Sequence, residues 1–180
     1  AIRIGSLFSG VGGLELGILA AFEAVGVPAE VVWQAEADPY ARAVLVRHWP
    51  ATRRDEDVRG VDECTQPCDR SCGGLPCQDL SIAGRRAGID GPRSGREFAR
   101  IIGVLRPRYV VVESVPGLLA HLGRVLGPLA SLGYDAEWGC FSAAKVGAPH
   151  LRDRVFILAH LADADGDGRD RRVCGATSGR

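Results

Sequence analysis

Methionine is absent from the sequence, and lysine occurs once, at Lys145, so almost all the positive charge is arginine. A missing Met is what a processed start, or a boundary inside a longer chain, would leave. No charge of one sign prevails: Lys plus Arg and Asp plus Glu are each 22, for a net charge of zero. Total charge therefore gives no sign of a strongly basic nucleic-acid-binding domain. No run approaches 18 uninterrupted apolar residues, so no membrane span is expected. Residues 1–11 lack the basic start and long apolar run of a secretory leader. A reducing cytoplasm is the expected setting. There Cys64, Cys68, Cys72, Cys77, Cys140 and Cys174 read as free thiols, a metal site or a catalytic group before disulfides.

What is present suits one folded domain. Hydrophobic residues make up 46% of the 180 and charged residues 24%, which excludes wholesale disorder. Strand-like and helix-like periodicities alternate. Residues 2–8 read as a buried strand, 9–13 as a Gly-rich turn, and 14–25 as a helix with Leu14, Ile18, Ala21, Phe22 and Val25 on one face. Residues 31–36 read as a second strand, and Asp38-Pro39 opens a helix through His48. A third strand is expected near Val58. Residues 73–95, with few apolar side chains, read as a long loop, and 96–105 as a helix. Residues 109–113 form the clearest strand, 118–132 a helix, and 138–141 and 155–159 two further strands. This alternation predicts an α/β fold with a parallel sheet and helices on both faces. Ligands then sit at the carboxyl ends of the strands, just after Phe8, Glu36, Val58, the Cys77 loop and Glu113.

Those positions carry chemistry. Phe8-Ser9-Gly10-Val11-Gly12-Gly13 leads from a strand into a helix, where Gly lets backbone amides approach a ligand. The dinucleotide pattern needs Gly three residues after Gly12, and Glu15 stands there, which argues against a standard NAD site. Glu36 ends the second strand, where an acid commonly holds ribose hydroxyls; alone it could equally be a solvated acid. Cys77, in Pro76-Cys77-Gln78, is a thiol in a Gly-rich loop, able to act as a nucleophile if a positive group stabilises the thiolate. Glu113 ends an apolar strand, where a carboxylate is costly unless it binds something or is paired. Arg152 and Arg154 alternate along an extended stretch and so share a face.

Taken in order, Phe-x-Gly-x-Gly-Gly, Glu36, Asp57-Val58, Gly73-Gly74-Leu75-Pro76-Cys77-Gln78-Asp79-Leu80-Ser81, Glu113-x-Val115 and Arg152-x-Arg154 resemble the catalytic domain of the cytosine-5 DNA methyltransferases, from about Ile4 to Ala159. The resemblance implies a Rossmann-like α/β fold and S-adenosylmethionine as cofactor. Phe8 would pack on its adenine, the backbone of Gly10, Val11, Gly12 and Gly13 would hold its methionine part, and Glu36 its ribose. Asp57 and Val58 would read the adenine edge, and Pro76 and Gln78 would complete the pocket. Cys77 would add to carbon 6 of a cytosine flipped out of duplex DNA. Glu113 would bond ring nitrogen 3 and the exocyclic amine, and Arg152 the carbonyl oxygen, with Arg154 in support. Residues 82–95 would close over the DNA. Seven Arg between Arg85 and Arg108, against Asp90 and Glu97, offer phosphate contacts that the total charge conceals.

The sequence also departs from that family. Ser114 stands where Asn is usual, His150 where Gln is usual, and Arg93-Ser94-Gly95 lacks the following Leu-Trp. Residues 68–72 are too polar to read as the buried strand expected there. The recognition region and closing motifs of the family do not follow Ala162. Residues 1–160 are expected to form the catalytic domain, and 161–180 a disordered tail or the start of a linker. The expected class is a bacterial or phage enzyme of restriction-modification type. Its rivals are a non-catalytic remnant, one subunit of a split enzyme whose partner chain carries the recognition region, and an RNA methyltransferase. Cys64, Cys68 and Cys72 recur without paired Cys-x-x-Cys spacing, and the Asp163 to Gly168 stretch has Cys174 where a calcium loop needs its acid, so no metal is assigned.

Overall fold

The computed structural model describes residues 1–75 and 95–162. Pro76, Cys77, Gln78, most of the expected DNA-facing loop and the tail lie outside the described residues. Along the chain come β1 (Ile2–Leu7), α1 (Gly13–Ala24), β2 (Ala29–Ala35), α2 (Pro39–His48), β3 (Arg53–Asp55), β4 (Arg70–Gly74), α3 (Gly95–Leu105), β5 (Tyr109–Ser114), α4 (Gly123–Ser131), β6 (Tyr134–Ser142) and β7 (Asp153–Leu161). The strands form one sheet in the order β3-β2-β1-β4-β5-β7-β6. All run parallel except β7, which is antiparallel to both of its neighbours. This is the predicted α/β architecture.

Alternation along the strands sorts side chains between the two faces. Val110, Val112 and Ser114 of β5, and Val155, Ile157 and Ala159 of β7, are buried on the face covered by α3 and α4. There Ile101, Ile102, Leu118 and Leu129 complete the main core. Trp33 is fully buried in it, and its indole N–H donates to the Gln66 carbonyl at 3.0 Å. Gly5 makes room for that ring, since a Cβ there would lie 2.1 Å from it. Trp33→Ala should therefore cost about 3–5 kcal/mol of stability. The check is a urea unfolding midpoint that falls with the slope unchanged.

The second face is covered more thinly. Ile4, Val31 and Cys72 lie beneath Leu14, Ile18, Leu19 and Phe22 of α1. Of the apolar face expected on this helix, Leu14, Ile18 and Phe22 are half-buried, whereas Ala21 and Val25 are exposed. The cavity-facing side chains Val111, Glu113, Arg154 and Phe156 project from this same face of β5 and β7.

Three expectations give way. The polar stretch before Gly73 is a strand after all, and a central one: β4 lies between β1 and β5. Its buried positions are short side chains, Ser71 and Cys72, followed by Gly73, whose Cβ would come 2.7 Å from the Leu7 carbonyl. Its charges sit at the strand's amino end. Asp69 pairs with Arg3 at 3.3 Å, and the Arg70 guanidinium stacks 4.0 Å from the centre of the Tyr109 ring. The third strand is Arg53–Asp55, and Val58–Gly60 is a 3₁₀ turn capped by Asp57. The helix expected over 118–132 is a 3₁₀ turn, Pro116–His121, followed by α4.

Candidate active site

The carboxyl ends of β1, β4 and β5 open into a cleft of about 820 Å³, whose lining includes Phe8, Gly10, Glu15, Gly74, Glu113 and Arg154. Its floor is the turn from β1 to α1. Phe8 (φ 53°), Gly10 (φ 55°) and Gly12 (φ 89°) all take left-handed backbone. For Phe8 this conformation is costly and is held by its surroundings. Ser9 N–H donates to the Ala35 carbonyl, Gly12 N–H to the Ser9 carbonyl, and Ser9 Oγ lies 2.8 Å from Ser6 Oγ. At Gly12 a Cβ would also meet the Trp49 ring at 2.4 Å. The turn delivers the first N–H groups of α1, which have no intrahelical partner, with no side-chain cap at Gly12 to take them.

Glu36 fixes this turn to the end of β2. Its two carboxylate oxygens accept from Gly10 N–H at 2.7 Å and Asp38 N–H at 2.8 Å. Each oxygen keeps a lone pair for a further donor. The neighbouring β3 end supplies Asp57 and Val58. Asp57 is exposed, accepts from Arg59 N–H at 2.9 Å and pairs with the Arg59 guanidinium. Val58 is half-buried against the main core. Glu36, Asp57 and Val58 thus gather on the β2–β3 side of the glycine turn, beside the cleft rather than in its lining.

At the other end, Glu113 Oε1 lies 2.7 Å from Arg154 Nε, with side chains 26% and 21% exposed. β5 and β7 produce this pair by register: Glu113 stands opposite Phe156, two residues from Arg154. Gly74 lies beside the second carboxylate oxygen, 3.6 Å from where its Cβ would be, and Leu75 N–H donates to the Glu113 carbonyl at 3.0 Å. Arg152, exposed, lines the same cleft. Apolar walls come from Val111, Phe156 and Phe141, the last two in edge-to-face contact at 5.9 Å. Ser114 is fully buried, and its Oγ has no hydrogen-bond partner among the described residues.

Burial disqualifies two other thiols as nucleophiles. It pushes the Cys68 thiol up to about 11, and the Cys72 thiol higher, so neither forms appreciable thiolate near neutral pH. Among the described residues no three His, Cys, Asp or Glu side chains are grouped to hold a metal ion.

One residue carried no role in the sequence. Glu15, noted only as breaking a glycine pattern, is 1% exposed and lines the cleft. Its one signal was an acid in the first turn of a helix, among the apolar positions Leu14 and Ile18 that face the sheet.

Comparison with known proteins bears on the family and the fold. The family model "C-5 cytosine-specific DNA methylase" matches residues 2–171. The chain is 36% identical over 171 residues to the type II methyltransferase M2.BsuMI of Bacillus subtilis, covering 89% of this chain and 42% of that protein. It is 31% identical over 175 residues to M.NgoBV of Neisseria gonorrhoeae, covering 89% and 41%. It therefore spans less than half the length of these relatives. Among solved structures, the S. pombe Dnmt2 methyltransferase superposes with a TM-score of 0.71 at 24% identity, over 93% of this chain and 53% of that one, a likeness of fold. With the family model matched over nearly all its length, the chain belongs to the C-5 cytosine-specific DNA methylase family.

Proposed function

We propose that this chain carries the catalytic centre of an enzyme that transfers a methyl group from S-adenosylmethionine to carbon 5 of cytosine in duplex DNA. The observation that carries this reading is the Glu113–Arg154 pair, set beside Gly74 in a cleft floored by the glycine turn. The residues present suit the cofactor. Glu36 has lone pairs left for ribose hydroxyls, the turn presents backbone N–H groups, and Glu15 is an acid with no hydrogen-bond partner among the described residues. Phe8, Gly10, Val11, Gly12 and Gly13 would hold the cofactor from the turn, Asp57 and Val58 from the β3 side, and Pro76 and Gln78 from beyond β4. S-adenosylmethionine, when bound, supplies a methyl group on a sulfonium centre.

The chain's own groups act on the cytosine. Cys77 follows Leu75 by two residues, at most about 7 Å of extended chain. Its thiolate adds to carbon 6, and the ring's electron pair moves toward carbon 5, with negative charge spread over the ring. A proton held between the Glu113 carboxyl and nitrogen 3, and Arg152 donating to the carbonyl oxygen, offset that charge, while the carboxyl also accepts from the exocyclic amine. Arg154 holds the Glu113 carboxylate in place. Once carbon 5 is methylated, a base or water removes its proton, the electron pair returns to the carbon 5–carbon 6 bond, and Cys77 leaves as thiolate.

Residues 1–160 make up this catalytic domain, with β7 ending at Leu161. The type II relatives favour a restriction-modification role in the bacterial cytoplasm, with duplex DNA as partner and a second chain as one possible source of target recognition. Among the described residues no helix is long and apolar enough to cross a membrane. The test uses duplex DNA containing 5-fluorocytosine together with S-adenosylmethionine. Fluorine cannot be removed as a proton is, so a covalent protein–DNA complex stable in SDS is expected. Trapping on the matching RNA alone, or no complex, would refute the reading.

A further inference from the structure

Glu15 occupies the third position of α1, at the mouth of the glycine turn. It is 1% exposed, and neither carboxylate oxygen has a hydrogen-bond partner among the described residues. No arginine, lysine or histidine there pairs with it. Its electrostatic neighbour on the sheet is the Cys72 thiol, kept neutral by burial. A buried carboxylate without a donor or a cation is among the costliest groups a protein can hold. The positive end of α1 offsets part of that cost but makes no hydrogen bond to the side chain. Glu15 is among the residues that line the cleft, in company with Gly10 and Gly13.

Two opposite features therefore meet at this corner. The free N–H groups at the start of α1 suit an anion, and the Glu15 carboxylate suits a cation. A ligand bearing both charges on adjacent atoms matches the pair, and an α-amino acid end is such a group. We propose that Glu15 is the receptor for the α-ammonium of the cofactor's methionine end, while the glycine turn takes its α-carboxylate. The assignment rests on the S-adenosylmethionine reading and adds to it a residue specific for the amino acid part of the cofactor. It also explains why an acid tolerates burial here: the ligand is its missing partner.

The test compares two ligands by calorimetry. S-adenosylhomocysteine has the ammonium, and 5′-methylthioadenosine lacks the whole amino acid end. Glu15→Gln keeps the shape and removes the charge. A charge-assisted hydrogen bond in a buried site predicts a loss of roughly tenfold or more in S-adenosylhomocysteine affinity. Methylthioadenosine affinity should stay within about twofold, because the bond it cannot make is not there to lose. The thermal midpoint of the ligand-free protein should hold or rise, because an uncompensated charge is gone. Unchanged S-adenosylhomocysteine affinity, equal losses for both ligands, or a lowered midpoint with affinities intact would each overturn the assignment. Binding of neither ligand by the unaltered protein would instead overturn the cofactor reading beneath it.

Discussion

Replacing Cys77 by Ala should slow methyl transfer by on the order of 10⁴-fold or more, the scale on which removal of a covalent nucleophile acts. Carbon 5 of cytosine is a weak nucleophile until a group adds at carbon 6, so without the thiol no partial route remains. Cys68 and Cys72 cannot stand in, because burial raises both thiols well above neutral pH. Cys64 and Cys140 are exposed, and neither lines the cleft that contains Glu113. Serine is not a substitute either. Its hydroxyl stays protonated near neutral pH, where a free thiol with a pKa of about 8.5 is already a few per cent thiolate. The measurement is single-turnover incorporation of labelled methyl into duplex DNA, with S-adenosylhomocysteine binding as the control for folding. Binding within about twofold of the unaltered protein is expected, since the substitution is not at the cofactor. A residual rate within tenfold would mean that Cys77 is not the nucleophile.

Much of this centre is legible in the sequence because its signals are local. Val110, Val111 and Val112 announce a buried strand by their β-branched side chains, and an acid at its end has few reasons to be there other than pairing or binding. Asp38 accepts from Tyr40 N–H as its position before Pro39 suggests. The turn through Gly12 is legible because left-handed backbone selects glycine. Other features depend on contacts between distant segments. β4 contains Arg70 and Ser71 and still takes a central place, because Tyr109 stacks on the guanidinium and β1 and β5 supply both ladders. The partner of Glu113 is set by the antiparallel register of β7, which no local pattern encodes. Glu15 shows the same limit. Its spacing is that of an ordinary helical acid, and its meaning lies in its burial under the cleft side of α1 and the lack, among the described residues, of any hydrogen-bond partner.

Glu113→Gln should lower the rate of methyl transfer by about 10²–10³-fold, the usual consequence of removing one preorganised charge from a site where charge develops. Gln keeps the length and can still accept from the exocyclic amine, so cytosine can enter. It cannot pass a proton to ring nitrogen 3, where negative charge rises only as Cys77 adds. The loss should therefore fall on kcat, with KM for DNA changed little. Arg154 acts through Glu113 and is a positioning residue. Its Nε lies on Oε1, and the neighbouring Oε2 is the oxygen left facing Gly74. Arg154→Ala frees the carboxylate to rotate and should cost less than Glu113→Gln, about 10–10²-fold, the scale on which misplacing a catalytic group acts. Lys at 154 should rescue only in part, because an ammonium on a flexible stem lacks the fixed side-on donor that the guanidinium supplies. The double variant distinguishes these roles. If Arg154 works by holding Glu113, the double variant should match Glu113→Gln alone within about threefold. Full additivity of the two losses would show instead that Arg154 reaches the substrate itself.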